Sequence, residues 1–365
     1  MSMKRLEKPE YKVNKGFWAE LPKPFFALAP MDGVTDLPFR LITKRCGNPD
    51  FVVTEFVPVE ALIRGIERAF IDLRYEERER PILAQLYGHE PELFYYCAQI
   101  IAELGFDGID INMGCPARKI EQRGAGAGLI RTPEIAVEII DSVKAGLEAW
   151  VENGIEWDKF PKEAKTGRLR KRLEEFRNDF DKTHENDTRE VIPLSVKTRI
   201  GYDEPDIENW FGILAKLKLT AIAIHGRTLK QAYRGKADWE QIERACKLIK
   251  SIAPGTLVIG NGDITERKMG REYAQKYKVD GIMIARSAIG NPWAFSELDK
   301  PEGEELFKVM LEHAKMHYQY KDPRAFVQMR RVLSDYIKGM EGAKELRSKL
   351  VRVNSPEEVD KLLFL

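Results

Sequence analysis

Eight short apolar runs, separated by segments with helical periodicity, constrain the fold of this chain more than any other feature of its sequence. Each run has about the length of a β-strand and is rich in Ile, Val or Leu, as expected for strands buried on both faces of a parallel sheet. The runs are 25–29, 51–54, 82–86, 107–111, 192–198, 220–224, 256–260 and 280–284. The segment from Pro91 to Leu104 is one of the intervening segments, with apolar residues at helical spacing.

This alternation predicts an α/β fold, a (β/α)8 TIM barrel, because eight strands alternate with helices over roughly 280 residues. An open, doubly wound sheet is the structural alternative. A GxGxxG sequence after the first strand would favour that alternative, and the chain has none there. The barrel is therefore the predicted fold of residues 1–302.

Residues 150–190, between the fourth and fifth predicted strands, interrupt the rhythm of the barrel. Residues 151–190 contain 10 Lys or Arg and 11 Asp or Glu, so more than half of them are charged. An amphipathic helix is predicted there, because four apolar residues share one helical face: Leu169, Leu173, Phe176 and Phe180. The segment is interpreted as a solvated surface insertion. An RNA-facing arm is the alternative, since four basic residues cluster: Arg168, Arg170, Lys171 and Arg172.

Residues 303–365 have no strand-like run and carry apolar residues at helical spacing, which predicts a small all-helical domain after the barrel. Between Lys315 and Arg352 there are 10 basic and 4 acidic residues, although the whole chain has a net charge of only +1. A basic face on a neutral protein is typical of a nucleic-acid partner. A solvated helix surface would give the same pattern. The candidate RNA-binding residues are Arg330, Arg331 and Lys338.

Composition argues against several classes of protein. No run of ~18 apolar residues occurs, so no membrane partner is predicted, and the N-terminal residues lack the apolar core of a secretory signal. None of the four cysteines forms a CxxC pair, which argues against a zinc ribbon or a thioredoxin-type site. We therefore expect a cytoplasmic protein with free thiols and no metal. A monomer is the default expectation.

Unusual polar and small residues end or follow the predicted strands, where barrel enzymes carry their chemistry. In chain order they are Pro30, Met31, Asp32, Gln85, Asn112, Cys115, Lys197, Arg199, His225, Asn261, Gly262, Asp263, Ala285 and Arg286. Because the carboxyl ends of parallel strands meet at one rim, the set predicts an active site. For any single residue of the set, such as His225, a structural role is the alternative to a role in catalysis.

The loops after the seventh and eighth strands predict a phosphate site. Gly260 and Gly262 allow close backbone approach, and Arg286 can pair with a phosphate. Lys197 would bring positive charge to an electron-rich ring and stabilise a reduced flavin. Gln85 offers a donor and an acceptor to the edge of such a ring. A phosphorylated cofactor is predicted, with flavin mononucleotide (FMN) as the leading candidate.

Cys115 differs from the other three cysteines by its position. It follows a strand, lies between Gly114 and Pro116, and precedes a Gly-rich basic loop, 118–128. A thiol whose ordinary pKa is near ~8.5 is mostly protonated at neutral pH, so it can donate a proton. A packed turn cysteine is the alternative.

Seven stretches form a highly specific combination. They are LAPMDGVTDLPFRLI (28–42), AQLYG (84–88), GFDGIDINMGCPARKI with GAGAGLI (105–130), VKTR (196–199), IHGRTLKQAYRGKADW (224–239), NGDI (261–264) and ARSAIGNPWAF (285–295). In this order they resemble the dihydrouridine synthase family of flavoenzymes, over most of residues 25–300. The tail resembles the helical RNA-binding domain of that family less distinctively, through 336–339 and 345–347.

The resemblance implies an FMN-containing barrel that uses NADPH to reduce uridine in tRNA. Reduced flavin N5 would deliver hydride to C6 of the uracil, and Cys115, by its place in NMGCP, would protonate C5. Motif matching implies flavin contacts from Pro30, Met31, Asp32, Gln85, Lys197, His225, Asn261, Gly262, Asp263, Ala285 and Arg286. It implies uracil contacts from Asn112, Arg199 and His225, with phosphate contacts from the basic tail. The insertion at 150–190 departs from the family and leaves the flanking motifs intact.

Two other functions stay open from the sequence. A flavin barrel that reduces a small molecule would share the flavin residues but would need no basic helical domain. A non-catalytic RNA-binding protein built on the same barrel would give Cys115 no role in reduction.

Overall fold

The computed structural model describes residues 15–179 and 189–365, and its centre is a closed barrel of eight parallel strands in chain order. The strands are β1 Phe25–Leu28, β2 Phe51–Pro58, β3 Ile82–Tyr87, β4 Gly108–Met113, β5 Leu194–Arg199, β6 Ala221–His225, β7 Leu257–Asn261 and β8 Gly281–Ile284. Each predicted run overlaps one of them, so the predicted (β/α)8 barrel is confirmed. The carboxyl ends of all eight strands form one edge, called here the C-terminal rim.

Helices connect the strands and continue after the last one. They are α1 Leu37–Gly47, α2 Val59–Ile63, α3 Glu67–Leu73, α4 Pro91–Glu103, α5 Arg118–Glu121, α6 Pro133–Asn153, α7 Arg168–Asp179, α8 Gly212–Lys216, α9 Trp239–Ile252, α10 Arg267–Tyr277, α11 Gly303–Tyr320, α12 Met329–Tyr336, α13 Ala343–Leu350 and α14 Pro356–Phe364. Among the described residues, none of these helices combines the length and the apolar character that a bilayer crossing requires.

Aromatic side chains fill the amino-terminal end of the barrel. Phe25 and Phe51, the first residues of β1 and β2, are fully buried. Trp18, from a short 3₁₀ turn that precedes β1, contacts both; its ring centroid is 4.7 Å from that of Phe51 and 5.9 Å from that of Phe25. This end of the barrel is therefore apolar and closed, which leaves the C-terminal rim for polar chemistry.

The described part of the insertion, residues 150–179 and 189–190, packs on the outside of the barrel. Leu169, Leu173 and Phe176 are buried in the same apolar cluster as the barrel's outer layer, as the predicted amphipathic helix requires; the fourth residue of that prediction, Phe180, lies outside the described residues. Three of the four clustered basic residues have intrachain partners, and one of them, Lys171, pairs with Glu175 at 3.7 Å. Arg172 pairs with a carboxylate of α3, and Arg170 lies over the ring of Trp157. The RNA-facing arm stays a hypothesis.

Residues 303–365, called here the helical region, form an apolar cluster of their own around Met310 and Leu333. Ile42 of α1 belongs to that cluster, and Arg45 of α1 pairs with Glu312 at 2.7 Å. The helical region therefore packs on the barrel through the helix that follows β1. The predicted boundary after residue 302 coincides with the start of α11 and stays a prediction.

Candidate active site

The parallel register brings predicted site residues side by side at the C-terminal rim. Asn112 of β4 lies opposite Lys197 of β5. Arg199 of β5 lies opposite His225 of β6, which in turn lies opposite Asn261 of β7. Polar side chains that are distant in sequence thus come from four adjacent strands to one place.

A chain of hydrogen bonds connects β3, β4 and β5 just below this rim. The carboxylate of Asp110 accepts hydrogen bonds from Gln85 Nε2 and Ser195 Oγ, each at 2.6 Å. Gln85 Oε1 accepts from Asn112 Nδ2 at 2.9 Å, and Asn112 Oδ1 accepts from the backbone N–H of Cys115 at 2.9 Å. Burial raises the pKa of Asp110 to about 6. The Asn112 amide is therefore fixed in orientation, and in the part of the chain that the structure describes its second Nδ2 hydrogen has no acceptor, so a ligand can take it.

Lys197 carries an ammonium group with no carboxylate within 4 Å among the described residues. Its Nζ donates to Asn261 Oδ1 at 3.2 Å. Burial, together with nearby Arg199, lowers the pKa of Lys197 to about 8. An enclosed cation without an acidic partner favours an anionic ligand, because the ligand's charge offsets the cost of removing the ammonium from water.

Cys115 lies half-buried in the loop after β4. The loop is held by its own backbone: the N–H of Ala127 donates to the carbonyl of Cys115 at 3.2 Å. Gly126 has a φ of +59°, and a side chain there would approach that carbonyl to 3.0 Å. Burial raises the pKa of the Cys115 thiol, and the nearby carboxylate of Asp32 adds to the effect. The thiol is thus protonated at neutral pH, as a proton donor must be.

Arg199 is buried and holds two loops of the rim together. Its Nε donates to the carbonyl of Gly114 at 2.7 Å, next to Cys115. Its Nη1 donates to the carbonyls of Thr228 and Ala232, each at 3.1 Å. Burial lowers the pKa of Arg199 to about 10. Nη2 has no hydrogen-bond partner within residues 15–179 and 189–365, so its two hydrogens are available to a ligand.

Arg227 also lies at the C-terminal rim, although the sequence did not predict a role for it. Its Nη2 donates to both carboxylate oxygens of Asp263, at 2.8 and 2.7 Å, and its Nη1 lies 3.2 Å from His225 Nε2. Burial and the surrounding cations lower the pKa of His225 well below its usual value. Because an arginine can only donate, Nε2 of the neutral ring is the acceptor, and the ring proton is on Nδ1.

Asp263 is fixed in the loop after β7 by hydrogen bonds from two residues, Ala237 and Arg227. Burial alone would raise the pKa of Asp263, but hydrogen bonds from the Ala237 N–H and from Arg227 outweigh it and lower the pKa. Arg286, which is more than half exposed, approaches Asp263 to 3.6 Å. Asp263 therefore orients cations, and toward a flavin its ionised carboxylate can only accept hydrogen bonds.

Packing explains why glycine occupies position 260 of β7 and position 262 of the loop that follows it. A side chain at Gly260 would approach the Trp239 ring to 2.3 Å. One at Gly262, where φ is +128°, would approach Ala237 Cβ to 2.6 Å and the His225 ring to 3.2 Å. Close approach of a phosphate is therefore not needed to explain either glycine.

The remaining predicted cofactor residues lie in the loops after β1 and β8. Pro30, Met31 and Ala285 are partly buried, and Asp32 is exposed. Met31 is fixed by its own turn, in which its N–H donates to Thr35 Oγ1 at 2.9 Å.

The three predicted RNA-binding residues separate into two groups. Arg331 and Lys338 are exposed and line a cavity of about 370 Å³ together with Arg286 of the barrel. Arg330 instead donates to the Val353 carbonyl at 2.9 Å and to Asn354 Oδ1 at 2.7 Å. The structure thus gives Arg330 an internal contact that ties α12 to the turn before α14.

The described residues also include one trio of possible metal ligands, Glu60, His89 and Glu90. It lies near the surface, and two of its three members are the acidic residues common on any protein surface. The absence of a metal stays a prediction.

A cysteine, a lysine and two buried arginines thus lie at the C-terminal rim of a parallel barrel, which is where (β/α)8 enzymes have their active sites. A model of the family described as "Dihydrouridine synthase (Dus)" matches residues 27–175 and 182–364. The "Probable tRNA-dihydrouridine synthase" of Staphylococcus aureus (strain COL) is 35% identical over 360 residues, 96% of this chain and 95% of that protein. The "Probable tRNA-dihydrouridine synthase 2" of Bacillus subtilis (strain 168) is 35% identical over 357 residues, 96% of each chain. The chain belongs to the dihydrouridine synthase family.

Proposed function

We propose that this protein reduces uridine in tRNA to 5,6-dihydrouridine, with FMN as its bound flavin and NADPH as the reductant. One observation carries the proposal: within a chain that belongs to this family over almost its whole length, Cys115 lies in the loop that Asn112 and Arg199 fix, where burial raises the pKa of its thiol. A monomer acting in the cytoplasm completes the proposal.

The chemistry of the donor set fits FMN. Among the described residues no carboxylate lies within 4 Å of the Lys197 ammonium, which suits the negative charge of a reduced isoalloxazine ring. Arg286, more than half exposed at the rim, suits a phosphate. When bound, the flavin supplies the hydride that C6 of the uracil receives. The residues proposed to hold it are Pro30, Met31, Asp32, Gln85, Lys197, His225, Asn261, Gly262, Asp263, Ala285 and Arg286.

The chain's own residues would bind the uracil and deliver the proton. The free Nδ2 hydrogen of Asn112 and the Nη2 hydrogens of Arg199 suit the carbonyl oxygens of the base, and His225 offers its Nδ1 hydrogen. Addition of hydride at C6 leaves negative charge on the C5–C4–O4 unit, and the Cys115 thiol donates the proton to C5. The uridine must leave its stack to reach this site, which is least costly for a base in a flexible loop.

The full chain, incubated with NADPH and an unmodified tRNA transcript, should add two hydrogens to uridine. Nuclease digestion and mass spectrometry of the nucleosides measure this gain, and mapping of fragments gives the position. A yellow protein that oxidises NADPH but leaves the transcript unchanged would contradict the substrate, unless native tRNA lacking dihydrouridine is reduced. Reduction of a small molecule alone would favour the alternative barrel enzyme.

Reversing the charge of Arg331 and Lys338 to Glu should weaken tRNA binding at least tenfold. Each lost phosphate contact should also reduce the slope of log K against log salt by about 1. Filter binding at several salt concentrations measures both quantities. The double variant Lys344→Glu/Arg347→Glu, on the exposed surface of α13, changes the net charge by the same amount and is the matched control; it should change binding far less. Equal losses in both variants would show that only net charge matters.

A further inference from the structure

Glu55 is a buried carboxylate beside the loop that follows β1. It lies on β2, where the register against β3 shifts between Val53 and Phe56, and it is 2% exposed. Its Oε1 accepts a hydrogen bond from the N–H of Gly33 at 2.5 Å. Gly33 has a φ of +68°, a conformation that this contact helps to hold. The loop of Pro30 to Gly33, to which flavin contacts are assigned above, is therefore anchored to β2.

The helical region anchors the other end of the same loop. Asp36 caps the start of α1 by accepting a hydrogen bond from the Phe39 N–H at 3.1 Å. Lys321, directly after α11, places its Nζ 2.6 Å from Asp36 Oδ2. Both side chains are almost fully buried, with exposures of 7% for Lys321 and 10% for Asp36. A buried ion pair thus connects the helical region to the residue that ends the loop.

Several acidic groups surround this ion pair, and Lys321 is the cation that offsets the charge of Asp36. Asp36 and Asp72 face Glu55, and burial together with Asp36 raises the pKa of Glu55 to about 7. The cations among these groups are Lys321 and Arg68, and Arg68 is paired with Asp72 at 2.9 Å. His317 of α11 also faces Asp36, and burial lowers its pKa, so it is neutral at pH 7. Without Lys321, Asp36 would be left as a buried, uncompensated carboxylate next to Glu55.

We propose that Lys321 of the helical region is a positioning residue for the flavin site, because it balances the buried carboxylates of Asp36 and Glu55 that hold the loop of residues 30–36. The inference rests on the proposed function, since the loop is assigned to the flavin there. It means that the region proposed to bind RNA also helps to build the cofactor site. The two parts of the chain are then coupled through one buried contact rather than only through packing.

Lys321→Met in the full chain should raise the dissociation constant for FMN about tenfold or more, within the range typical of coupled sites. It should also increase hydrogen exchange at the Gly33 amide. Lys308→Met is the matched control: Lys308 belongs to α11 and pairs with Glu304 at 2.8 Å, but on the exposed surface. Quenching of FMN fluorescence measures the affinity, and mass-resolved exchange measures the loop.

The double variant Asp36→Asn/Lys321→Met keeps a capping side chain and removes both charges, so it should fold and recover FMN affinity to within about threefold of the parent chain. Affinity that is unchanged in Lys321→Met, equally lost in Lys308→Met, or not recovered in the double variant would overturn the proposal. If the parent chain does not bind FMN, the proposed cofactor is wrong and this inference fails with it. Binding by the parent and by Lys321→Met alike rejects the inference alone.

Discussion

Cys115→Ala should reduce the single-turnover rate of uridine reduction by about 10²–10⁴-fold, the usual contribution of a positioned general acid. Affinity for FMN and tRNA should stay within about twofold, because the loop is held by backbone contacts that alanine keeps. Those contacts are the bond from Ala127 N–H to the Cys115 carbonyl and the bond from Cys115 N–H to Asn112 Oδ1. Rapid-quench analysis of dihydrouridine with pre-reduced enzyme isolates the step in which the proton is transferred.

The rate of uridine reduction should depend on pH in a direction that the Cys115 thiol determines. Burial raises the pKa of the Cys115 thiol, so the acid form persists through neutral and mildly alkaline pH. Loss of the acid form should therefore lower the rate only above the usual titration range of a thiol, beyond any fall caused by Lys197, whose pKa is about 8, and Cys115→Ala should lose this higher limb. Cys46→Ala, which alters a half-buried cysteine on α1, is the control and should leave rate and pH profile unchanged. Full turnover by Cys115→Ala would show that another group is the acid.

The barrel was predictable because apolar runs buried on both faces leave a strong local signal. The signal fails where a strand becomes polar. The run 51–54 predicted only the first half of β2, which continues to Pro58. Thr54 and Glu55 ended the apolar pattern, yet the structure buries both, with Thr54 Oγ1 accepting from the Gln85 N–H at 3.1 Å. Burial of those polar groups depends on partners from other strands, which a local pattern cannot reveal.

The site was predictable to the extent that it follows from strand ends. Parallel strands bring their carboxyl ends together, so Asn112, Lys197 and His225 could be assigned to one rim. Asp110 was missed because it lies within the apolar run 107–111 and reads as part of a strand. Arg330 was grouped with Arg331 by charge, although its contact with the Val353 carbonyl depends on the turn 23 residues further along the chain.

Arg227 shows how much of the rim depends on a residue whose function only the structure reveals. It is 2% exposed, and besides Asp263 it donates to the Gly235 carbonyl at 2.6 Å. It therefore ties the loop after β6 to the loop after β7. Asp263 is itself about one-third exposed, so water offsets part of the loss when the pair is broken.

Arg227→Met should lower the free energy of unfolding by about 3 kcal/mol, the low end for breaking a buried ion pair. It should also weaken FMN binding, because the Asp263 carboxylate would lose its main cation beside the proposed phosphate site. Denaturant unfolding and FMN titration measure the two effects. Arg234→Met, an exposed arginine of the same loop, is the control and should change neither.

Adding Asp263→Asn to Arg227→Met separates the two causes. The neutral amide removes the repulsion between the carboxylate and a phosphate and leaves no unpaired charge, so FMN affinity should recover together with part of the stability, while the link from Arg227 to the Gly235 carbonyl stays lost. Recovery of neither property would mean that the geometry of the loops, rather than the charge of Asp263, governs cofactor binding. Recovery of both would mean that the unpaired carboxylate was the whole cost of the substitution.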